Sequence, residues 1–190
     1  FCIRHEGRTL KMALDGRIHP IPLKSDIESP LLPRKRVEAH IGYLLPDSLI
    51  DILRDGGHAT TFEEGVEIKP QQPNPLAGQD GSQDVLTVLG LSSGKAGIAK
   101  TYDQYKDRLG KNYIPVASDG LGNLFVLNAK NQKILFWHHE CPDGEDSLEA
   151  FTDVADNFTQ FVSGLRPKPE AEYKMEGSKV SGVKRFSFDF

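Results

Sequence analysis

A chain of 190 residues is long enough to bury a sizeable core in one domain with extensions. Its composition, 38% hydrophobic and 26% charged, is that of a globular protein, and no run of about 18 apolar residues is present to cross a membrane as a helix. A net charge of −4 without a dense basic stripe disfavours nucleic-acid binding, and two cysteines, Cys2 and Cys141, make neither a disulfide framework nor a zinc set.

The first residues carry no apolar stretch of the kind a secretion signal needs, so the reading is a cytoplasmic protein with reduced thiols; one long-range bridge is the alternative. Charge is unevenly spread. Residues 1–39 hold eight Arg and Lys against five acids, and residues 140–165 hold seven acids and no Arg or Lys. Such a local acidic field is a solvated surface or suits a basic protein partner.

In chain order, residues 10–14 and 17–23 flank Asp15-Gly16, the strongest short hairpin signal. Pro20 and Pro22 confine the second arm to a sheet edge or a non-strand path. Residues 24–36, with Pro30 and Pro33, read as a linker. Pro46 near its start, acids in its first turn and Gly56-Gly57 at its end mark a short helix over 45–57.

Residues 66–84 read as a loop and 84–91 as one buried strand. Ile98, Tyr102, Tyr105 and Leu109 trace an amphipathic helix closed by Gly110. Three strands follow over 113–117, 123–128 and 133–138, the last two joined as a hairpin across 129–132. Leu124-Phe125-Val126-Leu127 is apolar on both faces, so its strand is predicted to be covered on both sides. Residues 151–155 read as extended, and Asn157 caps a helix bearing Phe158, Phe161, Val162 and Leu165. The alternation of Phe with polar residues over 186–190 predicts a half-buried strand.

Several runs imitate chemistry. Gly90-Leu91-Ser92-Ser93-Gly94-Lys95-Ala96 has three residues between its glycines where a phosphate loop needs four, and Ala96 offers no hydroxyl to magnesium. Gly120-Leu121-Gly122 leads into a strand, leaving no helix N-terminus for a pyrophosphate. His138 and His139 are neighbours on a strand and point to opposite faces, so no metal is assigned. Cys141 lies in a Cys-Pro-Asp-Gly turn without a placed base and orienting group, so no catalytic residue and no cofactor is assigned.

Leu45-Pro46 with Gly56-Gly57, Ile114-Pro115 with Asp119-Gly120 and Gly122-Asn123, Trp137-His138, and Asn157-Phe158 with Phe161 and Leu165 form an ordered series. In order and spacing it resembles the SUKH superfamily, which includes the yeast Smi/Knr-type regulators and many bacterial immunity proteins. The resemblance covers residues 40–165, leaving 1–39 as an N-terminal extension with a β-hairpin and linker and 166–190 as a C-terminal extension ending in a strand. It implies an α+β fold, a mostly antiparallel sheet with helices packed on it, and no catalytic set; the β extensions at both ends are read from the residues and are not explained by the family.

The resemblance further implies a non-catalytic protein-binding domain, an immunity protein that neutralises a cognate toxin, often a nuclease. The alternative is a regulatory or scaffolding module of a larger protein or complex. The partner is then a protein, not nucleic acid or membrane. Its contact is placed on Glu140, Asp143, Glu145, Asp146 and Glu149 with Trp137. A ligand-binding or enzymatic use of a pocket around Trp137 and His138 is the remaining reading.

Overall fold

A computed structural model describes residues 16–169. It is an α+β fold with a seven-stranded antiparallel sheet and a three-stranded one. The first arm of the Asp15-Gly16 hairpin and the strand over 186–190 lie outside the described residues.

The large sheet is built from β1 (Pro20–Pro22), β2 (Thr60–Phe62), β5 (Thr87–Val88), β6 (Tyr113–Ser118), β7 (Leu124–Asn128), β8 (Ile134–Trp137) and β9 (Phe151–Ala155), neighbours in that order. The small sheet places β3 (Val66–Ile68) between β10 (Leu165–Pro167) and β4 (Gln83–Asp84). Four α-helices lie among the described residues: α1 (Arg34–Ile41), α2 (Asp47–Ile52), α3 (Ile98–Leu109) and α4 (Phe158–Ser163).

The predicted amphipathic helix is α3, ended by Gly110 at φ 86°. Asn157 caps α4, its side chain accepting from the Gln160 N–H at 2.9 Å. Strands β7 and β8 pair directly as the predicted hairpin. On β7, Phe125 and Leu127 enter the larger core while Leu124 and Val126 enter a smaller one with Leu109, Leu135 and Trp137. Successive strand residues point to opposite faces, so the all-apolar strand is covered on both.

Five sequence expectations are corrected. The helix expected over 45–57 is α2, which ends at Ile52 with Leu53 already extended, so Gly56-Gly57 lie beyond it. The stretch 24–36 is not a plain linker, because Asp26 is buried and α1 starts at Arg34. Glu38 of α1 explains why so short a helix holds. Its carboxylate accepts from Arg34 Nε at 2.7 Å and from the Leu45 N–H at 2.9 Å, fixing the turn into α2. The stretch 66–84 is not wholly loop, since β3 and β4 form at its two ends. The single strand over 84–91 is divided between the two sheets as β4 and β5, a division that period-2 patterning does not signal. Leu165 belongs to β10, not to the helix, because α4 ends at Ser163 and Gly164 follows as its C-cap.

Both edges of the large sheet are blunted. In β1 the backbone of His19 and Leu23 bonds inward to Glu63 and Ala59, which turns positions 20 and 22 outward. Both are proline, so no N–H is offered there, and the Pro20 carbonyl accepts from Arg54 Nε at 3.2 Å. On β9 the outward carbonyl of Asp153 takes the N–H groups of Gln71 and Gln72, and its N–H reaches Gln72 Oε1 at 3.3 Å. Unpaired edges invite pairing with other chains, and these are closed to it.

Candidate partner-binding site

The acidic run leaves the end of β8 as a loop over 138–147 and returns through a 3-10 turn, Leu148–Ala150, into β9. Trp137, the last residue of β8, is fully buried. It therefore supports the loop from beneath and presents no surface to a partner. Its indole Nε1 donates to the Glu145 carbonyl at 2.7 Å, tying the middle of the loop to the sheet.

A second tie comes from α3. The Arg108 guanidinium lies 5.1 Å from the Trp137 ring and 5.6 Å from the Tyr105 ring, and pairs with the Glu145 carboxylate, Nε to Oε2 at 2.7 Å. The hydrogen bond from Arg108 holds the Glu145 carboxyl below the usual carboxylate range, with the Arg108 and His139 charges acting in the same direction.

The third tie runs to the turn between β6 and β7. Asp119 Oδ1 accepts from the Leu121 and Asn123 N–H groups, and Oδ2 accepts from Asn123 Nδ2 at 2.7 Å. Gly120 and Gly122, at φ 82° and 99°, let the backbone wrap this carboxylate. Asn123 Oδ1 in turn lies 2.9 Å from His139 Nδ1 and accepts from the His139 N–H at 3.2 Å. The Gly-Leu-Gly-Asn signature is thus a turn that locks the acidic loop to its neighbour.

The predicted contact residues separate accordingly. Glu140, Asp143, Asp146 and Glu149 are exposed, Glu145 is half-buried and occupied by Arg108, and Trp137 is internal. Beside them Leu148 is 87% exposed, and on the neighbouring turn Leu121 is 78% exposed. Sequence reasoning missed both leucines and Arg108. Leu148 was detectable as an apolar residue inside an acidic run, whereas nothing local marks Arg108.

The remaining chemical imitations resolve structurally. A Cβ on Gly90 would meet the backbone of Gly57, His58 and Ala59, with the Gly57 oxygen only 2.7 Å away, so this glycine serves close chain approach. Ser92 Oγ donates to Asp26 Oδ1 at 2.5 Å, and His58 Nδ1 stands 3.4 Å from Asp26 Oδ2. In this buried set the carboxylate, not the imidazole, meets the hydroxyl, which is not the order that activates a serine. Cys141 is a free, half-buried thiol 3.9 Å from Ser147 Oγ; Cys2 lies outside the described residues. The donor set close enough to share a cation among the described residues is His19, Glu63 and Glu64, at the β1–β2 edge rather than in the His138–Cys141 run. No described helix is long and apolar enough to cross a membrane.

An antiparallel sheet with short helices around it defines the class as an α+β domain. The chain belongs to the SMI1/KNR4 family (SUKH-1), whose family model matches residues 34–164. It is also similar to an SPbeta prophage-derived uncharacterized protein, YokK, of Bacillus subtilis (strain 168), 34% identical over 155 residues that cover 75% of this chain and 78% of that protein. No solved structure matches the chain significantly.

Proposed function

We propose that this chain is a non-catalytic immunity protein that binds and neutralises a cognate toxin, with the acidic loop as its contact surface. Membership of the SUKH-1 family and likeness to a prophage-borne protein support this reading. The observation that carries it is the loop itself. Four exposed carboxylates, Glu140, Asp143, Asp146 and Glu149, share with the exposed Leu148 a stretch of backbone held by Trp137, Arg108 and Asn123. A preformed loop loses little entropy on docking, an apolar side chain supplies desolvation, and the acids steer a cationic partner such as a nucleic-acid-cleaving toxin.

The test is co-expression with the products of neighbouring genes. Rescue of growth from one of them, with a stoichiometric complex on gel filtration, supports the reading. The triple variant Asp143→Lys, Asp146→Lys, Glu149→Lys then slows association and removes its salt dependence, while Glu145 is left intact to keep the loop in place. Unchanged association by this variant would move the contact elsewhere. A complex that forms without any loss of toxicity would favour the regulatory or scaffolding reading.

A further inference from the structure

On one face of the large sheet a single row of residues runs in register across five strands: Thr87, Ser118, Leu124, Trp137 and Phe151. The last three are apolar, and Leu124 and Trp137 lie in the smaller core with Tyr105 and Leu109 of α3. The first two carry hydroxyls, and there the sheet is not filled. An open cleft of about 670 Å³ lies over them. One wall is α3, with Lys100, Gln104 and Tyr105, and another is the loop before it, which bears Lys95. That volume is within the range of small-molecule sites, roughly 300–1,000 Å³.

Part of the polar lining of this cleft, unlike Asp26, Thr101 and Asn123, has no partner among the described residues. Thr87 is only 6% exposed, yet its hydroxyl makes no hydrogen bond within the described residues. It is not a sealed orphan either, because the one fully enclosed side-chain polar atom without a partner there is His58 Nδ1. The Thr87 hydroxyl therefore reaches solvent, along the wall of the cleft it lines. A buried hydroxyl left unmated costs stability unless water or a ligand satisfies it. Opposite it, Ser118 has no side-chain partner among the described residues, and neither do Gln104, Lys95 or Lys100. The carboxylate in the lining, Asp26, is already engaged by Ser92 Oγ and the Ala59 N–H. Two exposed ammonium groups without a carboxylate partner among the described residues, against one satisfied carboxylate, make the described lining positive, opposite in sign to the acidic loop.

We infer that this cleft is a site for a small organic phosphate bearing hydroxyl groups, the phosphate held by Lys95 and Lys100 and the hydroxyls by Thr87, Ser118 and Gln104. A sugar phosphate and a nucleoside monophosphate share this chemistry. The inference is independent of toxin binding.

The test is a 15N NMR titration of the full chain with glucose 6-phosphate and with adenosine monophosphate, beside arms of glucose alone and inorganic phosphate alone. Saturable shifts at Thr87, Ser118, Gln104 and Tyr105 with either organic phosphate, tighter than with glucose or inorganic phosphate, are the expected result. The arm that saturates first identifies the source of the phosphate. Thr87→Val, which keeps shape and removes the hydroxyl, weakens that binding roughly tenfold with an unchanged thermal midpoint. Ser118→Ala weakens it in the same direction and carries the test if the valine variant is unstable. Linear, non-saturating shifts, shifts confined to surface lysines, inorganic phosphate bound as tightly as the organic phosphates, or hydroxyl-deleted variants that bind like wild type would each overturn it.

Discussion

The indole nitrogen of Trp137 donates to the backbone carbonyl of Glu145, so a fully buried residue of the sheet sets the shape of an exposed acidic loop. Replacing it with phenylalanine keeps most of the apolar volume but leaves that carbonyl unmated and a small void. Trp137→Phe is expected to cost roughly 2–4 kcal/mol by urea unfolding. Hydrogen exchange is expected to rise over 140–147 while the β6–β7 ladder stays protected.

Arg108 acts on the same loop through charge. Because its guanidinium lowers the Glu145 pKa in the folded chain, Glu145 contributes stability above its unfolded pKa, and that contribution is lost as pH falls through the lower folded value. Arg108→Gln removes the cause. The Glu145 carboxyl then titrates nearer the ordinary glutamate range by NMR, and acid unfolding loses part of its pH dependence below about pH 4.5. A Glu145 titration unmoved in Arg108→Gln would show that the pair does not set its ionisation.

Asp26 is the polar keystone of the segment before α1. It accepts from the Ala59 N–H at 2.9 Å and from Ser92 Oγ, joining three stretches of chain. Asp26→Ala leaves both donors buried and unmated, with an expected loss of about 2–5 kcal/mol in chemical denaturation. Asp26→Asn, which keeps an acceptor, is expected to lose less.

Pro20 and Pro22 close one sheet edge by withholding N–H groups. Replacing both with threonine restores two outward donors on a strand of high β-propensity. The variant is expected to self-associate with concentration more strongly than the parent chain in sedimentation velocity.

Leu148 provides a test of the loop surface that leaves the fold alone. Its side chain is exposed, so Leu148→Ser is expected to shift stability by less than about 0.5 kcal/mol. Binding to a toxin identified by co-expression is expected to weaken at least tenfold, chiefly through faster dissociation.

Much of the fold was legible locally. Helix α3 announces itself by its apolar spacing and terminal glycine, Asn157 by its capping position, and the β7–β8 hairpin by two apolar runs around a polar turn. These rest on interactions within a few residues, which a linear sequence records. Pro20 and Pro22 also restricted their strand to an edge before any partner strand was known.

What sequence missed depends on distant residues. Helix α1 is short and weakly patterned, and it holds because Glu38 reaches both Arg34 and Leu45. The run over 84–91 divides because its two ends pair with strands in different sheets.

The acidic run over 140–149 was written in the sequence as a bare concentration of carboxylates. Its composition fixed the sign of the field, because charge density along a chain survives any folding. Only tertiary structure decided how that run is used. Trp137 turned inward as a support, Glu145 was drawn to Arg108 from a helix 37 residues earlier, and Leu148 was left outside among the remaining acids. Side-chain burial and pairing over such separations are set by how sheet and helix meet, and no local pattern encodes that.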